Sequence, residues 1–261
     1  MKFAVKPDTK STTFNPLHII TQLCVLSLVI FIFLSETAAQ ELTTTSLLVR
    51  KCNDFTITGK GTDSEWTKAE WNGLTKLDDG GKPNATKFKI LYSATGIYVF
   101  FQGDDEKITT QDYKDFESIF NGDVFEVFFY PDPDVKVYFE YEVNHLGREL
   151  ILAISNLNGK WSSWVPRNNQ GVHRTGIQRM VNVVGGDAGI GSNITSWTAE
   201  IFFSYNGLGL MPKVPPASGT QWKANFCRLD YDTGAMIKWS WTPSITKSFH
   251  ELEKFLSIKF E

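Results

Sequence analysis

The chain has 261 residues, of which 42% are hydrophobic, 14% aromatic and 21% charged; this excludes a disordered chain, a collagen-like repeat and a coiled coil. A formal net charge of −3 argues against a nucleic-acid partner, which needs Lys and Arg clustered on a surface. Three cysteines with no C-x-x-C pair exclude a disulfide-scaffolded miniprotein and the common zinc motifs.

Residues 1–39 read as a leader rather than as part of the fold. Lys2, Lys6 and Lys10 precede an 18-residue apolar run from Leu17 to Leu34, then the small residues Thr37-Ala38-Ala39. This order is that of a secretory signal, and the run is also long enough to stay in a bilayer as an uncleaved anchor. Either way the remainder is expected to be secreted, periplasmic or held at the cell surface. Residues 40–50 form a polar leader, and 51–261 a single domain. Two cysteines remain there, Cys52 and Cys227, and an oxidising compartment leaves open a disulfide between them or two buried thiols.

The domain reads as strands throughout. Thr86–Tyr92, a turn over 93–96 and Ile97–Phe101 have the pattern of a hairpin. Val124–Tyr130 is a run of strong β-formers closed by Pro131-Asp132-Pro133-Asp134. Further strands are expected at Val137–Val143, Leu150–Ile154, Trp197–Tyr205, Trp222–Leu229, Ile237–Trp241 and Leu256–Phe260. Gln111–Ile119 is the one candidate helix, 155–195 is the least regular stretch, and 185–193 reads as a hairpin tip or loop. Many short strands without a 3.6-residue period predict an all-β, antiparallel β-sandwich with at most one or two short helices.

No nucleophile elbow, phosphate loop, zinc-protease motif or dinucleotide fingerprint is present. The carboxylates on strands are more informative. Glu126 interrupts Val-Phe-Glu-Val-Phe-Phe, where an acid must be paired or must line a cleft. Period-two alternation puts Glu140, Glu142 and Asn144 on one face of their strand. That face is a polar row for sugar hydroxyls, an acid and base pair for glycoside hydrolysis, or simply a solvated surface. Of the eight tryptophans, Trp66, Trp197 and Trp222 read as core, whereas Trp161 and Trp164 fall in a polar stretch and could stack on sugar rings. Asp104-Asp105-Glu106, Asp132 and Asp134 are oxygen donors at strand ends that calcium could use.

These residues resemble, in order, the family 9 carbohydrate-binding modules, in particular the stand-alone family-9-like proteins of Bacteroidetes-type bacteria. The anchors are Ile57 to Trp66 with Ala69, Lys89 to Tyr98, Gly122 to Phe128, Tyr138 to Asn144, Trp197 to Ile201, Trp222 to Tyr231, Trp239-Ser-Trp241 and Ser248-Phe-His-Glu251. The resemblance implies a DOMON-like β-sandwich, sugar binding without catalysis, and calcium in some members, with Asp105 as its candidate ligand. It places Phe120 and Phe249 where family members clamp a sugar between two tryptophans. It aligns Glu142 with an arginine that helps to bind sugar, a reversed charge.

The expected function is that of a secreted, non-catalytic protein recognising a poly- or oligosaccharide during glycan degradation or uptake, beside a partner glycoside hydrolase. Its site would comprise Phe120, Glu126, Glu140, Glu142, Phe249 and His250, extended by Trp164 and Trp241. Two other classes stay open: a glycoside hydrolase or accessory subunit using paired Glu residues, and a haem-binding redox domain drawing on Met180, Met211 or Met236.

Overall fold

The computed structural model describes residues 46–157, 160–164, 176–209 and 211–261; within these, the side chains of 156, 157, 161 and 164 are not described. The leader, with its signal or anchor, lies outside the described residues. The strands are β1 (Leu47–Lys51), β2 (Asn72–Gly73), β3 (Thr75–Lys76), β4 (Thr86–Tyr92), β5 (Gly96–Asp104), β6 (Val124–Tyr130) and β7 (Val137–Asn144). They continue as β8 (Glu149–Leu157), β9 (Lys160–Trp164), β10 (Ile177–Val184), β11 (Ser196–Ser204), β12 (Gln221–Asp230), β13 (Ile237–Ser240) and β14 (Leu256–Phe260). Helical structure among the described residues is limited to three short 3-10 turns.

The ladder runs β10-β11-β5-β4-β1-β14-β12-β6-β7-β8-β9. Nearly all pairings are antiparallel. The exception is β1, which lies parallel to both β4 and β14 and joins two arms into one curled sheet. The arms face each other, because every second residue of the central strands, such as β5 and β6, is apolar and has to leave water. Phe125 of β6 stacks on Phe101 of β5 at 4.7 Å and on Trp197 of β11 at 3.8 Å. Phe226 of β12 stacks on Phe88 of β4 at 3.8 Å. Each such fully buried ring contributes about 1.5–3 kcal/mol of transfer free energy, so the aromatic surplus closes the sandwich. Trp66, Trp197 and Trp222 are all buried, as expected of core tryptophans.

Two expectations need correction, and one open alternative is decided. Gln111–Ile119 forms no α-helix: Phe116 takes a left-handed φ of 71°, and its N–H donates to the Glu149 carbonyl at 2.8 Å. Tertiary pairing to the β8 edge there overrides local helix propensity. The irregular stretch 155–195 contains two strands, β9 and β10. Cys52 and Cys227 are both buried free thiols. Cys52 packs with Ile57, Trp66 and Tyr98, whereas Cys227 packs with Val124, Phe128 and Phe249, in a separate apolar cluster.

Candidate functional site

Alternation along β6, β7 and β8 sorts two sets of side chains. Phe125, Val127, Phe129, Phe139, Tyr141, Val143, Ile151 and Ala153 enter the core between the arms. Val124, Phe128, Tyr130, Tyr138, Leu150 and Ile154 point to the other face, where Ile245, Phe249 and Phe255 cover them. Glu126, Glu140 and Glu142 belong by their register to this second face. They are 3%, 4% and 1% exposed, which rules out a solvated strand surface.

The covering segment leaves a cavity of about 330 Å³ over these three carboxyls. Phe120, Phe249 and His250 line it with them, so the structure brings six of the eight predicted site residues into one place. Phe120 stands at its mouth, 36% exposed, while Phe249 is 7% exposed and meets Phe128 edge to face. Trp241 does not line it: this side chain packs edge-on against Phe88 at 5.6 Å and Phe226 at 5.7 Å, against the inter-arm core. The Trp164 backbone ends β9, and its side chain lies outside the described part. Met236, read from the sequence only as a candidate haem ligand, also lines the cavity. Leu152, Leu229, Lys238 and Lys247 line it too and were not singled out from the sequence. Leu152 could have been, because it shares the parity of Leu150 and Ile154.

The electrostatics follow from burial among like charges. Glu126 lies directly across the ladder from Glu142, and Glu140 is two residues along the same strand. Burial, and then the neighbouring Glu140, pushes the Glu126 carboxyl well above the usual range. Burial, followed by Glu126 and Glu140, does the same to Glu142. Burial lifts Glu140 to about 7, and a hydrogen bond from Glu142 opposes the rise. Among the described residues, no hydrogen-bond donor reaches Oε2 of Glu140 or Glu142 unless one carboxyl keeps its proton for the other. His250 Nδ1 lies 3.9 Å from Glu140 Oε2 and shares a 2.7 Å hydrogen bond with the Tyr138 hydroxyl. Burial lowers the His250 pKa, which keeps the ring neutral.

Asp105 belongs to a different cluster, beyond the end of β5. Its Oδ2 meets His145 Nε2 at 2.9 Å and Arg228 Nη2 at 3.1 Å, and its Oδ1 accepts the N–H groups of Glu106 at 2.8 Å and Lys107 at 3.4 Å. Arg228 also reaches Asp230 at 2.7 Å and lies so near Gly103 that a Cβ there would stand 2.8 Å from its Nη1. His145 is held neutral by burial and therefore donates to Asp105 rather than pairing as a cation. Burial raises the Asp105 pKa, but the His145 hydrogen bond and the Arg228 charge outweigh it, and the carboxyl stays ionised. Ligand-type atoms of Asp105, Asp123 and His145, and of Asp105, Asp230 and Asp232, lie within 4.8 Å of one another. Asp105 nevertheless already engages three N–H donors, and the buried guanidinium 3.1 Å from its Oδ2 supplies a cation. The residues around Asp105 thus fit an arginine better than a calcium ion, which takes six to eight oxygens. Asp132, the other calcium candidate, pairs with Lys213 at 2.8 Å.

Residues 57–150 match the family model described as carbohydrate family 9 binding domain-like. Among solved structures, the chain is similar to a candidate carbohydrate-binding protein from Bacteroides uniformis ATCC 8492. That match has a TM-score of 0.67 at 17% identity and covers 83% of this chain and 99% of that one. A family 9 carbohydrate-binding module from Caldicellulosiruptor kristjanssonii in complex with glucose gives a TM-score of 0.56 at 13% identity, covering 82% of this chain and 95% of that one. A module from the same organism in complex with cellotriose gives 0.53 at 14%, covering 83% and 93%. At such identities the likeness establishes the fold, and the family model matches the part of the ordered sequence resemblance that lies within 57–150. No curated protein gives a significant match.

Proposed function

We propose that this chain is a secreted, non-catalytic carbohydrate-binding protein that seats a saccharide in the cavity lined by Phe120 and Phe249. The observation that carries the reading is the convergence, on one sheet face, of two aromatic rings and three buried carboxyls around about 330 Å³ of open space. A pocket of that size suits a small ligand, and its mixture of apolar walls and a few polar groups suits a sugar ring. The C–H face of the sugar would lie on the phenyl rings, and its hydroxyls would donate to the carboxyl oxygens. Glucose and cellotriose, bound by the structural neighbours, are the first ligands to try.

The leader read from the sequence supports export, to the periplasm, the cell surface or the medium. A binding protein there would hold glycan for degradation or uptake beside a glycoside hydrolase. Titration calorimetry with gluco-, xylo- and manno-oligosaccharides tests the reading. Binding that disappears in Phe120→Ala at unchanged melting temperature is expected, and no heat with any saccharide would overturn it. The same three carboxyls keep a hydrolase in view. Turnover of an aryl glycoside that is lost in Glu126→Gln would assign that activity instead.

A further inference from the structure

We infer that the cavity prefers a sugar carrying a free amino group, a hexosamine unit whose ammonium lies among Glu126, Glu140 and Glu142. The inference rests on the sugar-binding reading above and names its substrate class. It starts from what surrounds the three carboxyls. Glu126 comes from β6, Glu140 and Glu142 from β7, and all three line the same cavity. On the flanking strands their neighbours are Cys227 of β12 and Leu150 and Leu152 of β8, none of which brings a positive charge.

Two lysines line the cavity, yet neither forms an ion pair with these carboxyls. Lys238 is paired with Asp78 at 3.4 Å, and Lys247 stands exposed at the rim. His250 is neutral and already hydrogen-bonded to Tyr138. Among the described residues, then, no Lys or Arg compensates the three acids. Oε2 of Glu140 and of Glu142, both all but fully buried, lack any donor other than a proton held between the carboxyls themselves.

Such a site asks its ligand for hydrogen-bond donors and positive charge. A neutral sugar hydroxyl offers one proton and brings lone pairs of its own. An ammonium offers three N–H donors, no acceptor, and a full charge in a place of low dielectric. The exposed Phe120 ring at the mouth adds a face that attracts cations as well as C–H groups. A bare metal ion is a poorer match, because among the described residues the groupings of ligand-type atoms with metal spacing lie at Asp105, not here. N-acetylation would remove both the charge and two of the donors, so the free amine is the group recognised.

Calorimetry on the purified protein at about pH 6, where an alkylammonium keeps its proton, tests this with glucose, N-acetylglucosamine and glucosamine. Two buffers of different ionisation heat count the protons exchanged. Glucosamine is expected to bind about tenfold or more tightly than either neutral sugar, with protons released as the carboxyls ionise around it. Glu142→Gln and, independently, Glu126→Gln should bring the ratio of glucosamine to glucose affinity close to one, with the melting temperature retained. Neutral sugars binding as tightly as glucosamine, or a preference unchanged in both variants, would overturn the inference and leave the sugar-binding reading standing. Absence of binding by all three sugars and by the oligosaccharides would overturn both.

Discussion

Glu126 of β6 and Glu142 of β7 are register partners across an antiparallel ladder, both buried and, among the described residues, without a Lys or Arg paired to either. Two carboxyls so placed cannot both ionise at modest cost, and the native state keeps at least one proton there. Removing one charge while keeping the shape relieves that repulsion. Glu142→Gln is expected to stabilise the fold by about 1–3 kcal/mol at pH 8 and to change little near pH 4. Denaturant unfolding at the two pH values checks this, and a loss of stability at pH 8 would contradict the account of the site.

The same carboxyls set the sign of the pH dependence. Glu126, Glu140 and Glu142 all have folded-state pKa values raised above the usual 4.5, so the folded chain holds protons that the unfolded chain gives up. Their contribution is fully present below about pH 4.5 and fades as the pH rises through the folded value, about 7 for Glu140. The melting temperature should therefore fall between pH 5 and pH 8. In the Glu126→Gln, Glu142→Gln double variant the fall should be shallower. A melting temperature that rises over this range would mean that the three groups are ionised in the folded chain.

Phe120 and Phe249 separate binding from stability. Phe249 is 7% exposed and packs on Phe128, so Phe249→Ala should cost about 3–5 kcal/mol. Phe120 is 36% exposed, and Phe120→Ala should stay within about 1 kcal/mol of the parent. Each should lower saccharide affinity about tenfold or more if both rings touch the ligand. Thermal melts beside calorimetry distinguish the two effects. Unchanged affinity in Phe120→Ala would move the ligand away from the mouth of the cavity.

Strands that bury both faces were legible in the sequence, because runs such as Val124–Tyr130 have no other way to leave water. Val137–Asn144 was legible by its alternation, and with it the shared face of Glu140 and Glu142. The strand Ile177–Val184 was not. It pairs on one side only, with β11, and several of its residues, Met180 among them, are exposed, so its pattern looks like that of a loop. The parallel insertion of β1 is fixed by partners more than 40 residues away at one side and 200 at the other, which no local pattern encodes. The site was legible in halves. Alternation gave the three acids, but Phe249 and His250 arrive from a distant segment and were placed by resemblance alone. Trp241, expected to extend the site, is claimed instead by the inter-arm core.

Cys52 and Cys227 provide a simple check of the packing. Both thiols are buried, and burial pushes Cys52 up to about 12 and holds Cys227 well above its usual range. Neither should react with an alkylating reagent at pH 8 until the protein unfolds, and reductant should leave the melting temperature unchanged. A labelled peptide recovered from the native protein would show that one of the clusters opens. A shift on reduction would show that the two sulfurs are joined.

Arg228 organises the other end of the sandwich. Its guanidinium is fully buried, bonds to Asp105 and Asp230, and lies 5.1 Å from the centre of the Trp239 ring. Arg228→Met would keep the packing on Trp239 and leave two buried carboxylates without a cation, at a cost of about 3–5 kcal/mol. Adding Asp105→Asn should recover part of that loss, because the coupled groups fail together and are relieved together. The same arrangement predicts the response to chelation. With Asp105 engaged by three N–H donors and paired with Arg228, EDTA should leave the melting temperature of the parent unchanged and added calcium should not raise it. A fall in melting temperature with EDTA, restored by calcium, would show that an ion rather than Arg228 alone balances the acidic groups there, and would require Asp105 to release at least one of its donors to make room.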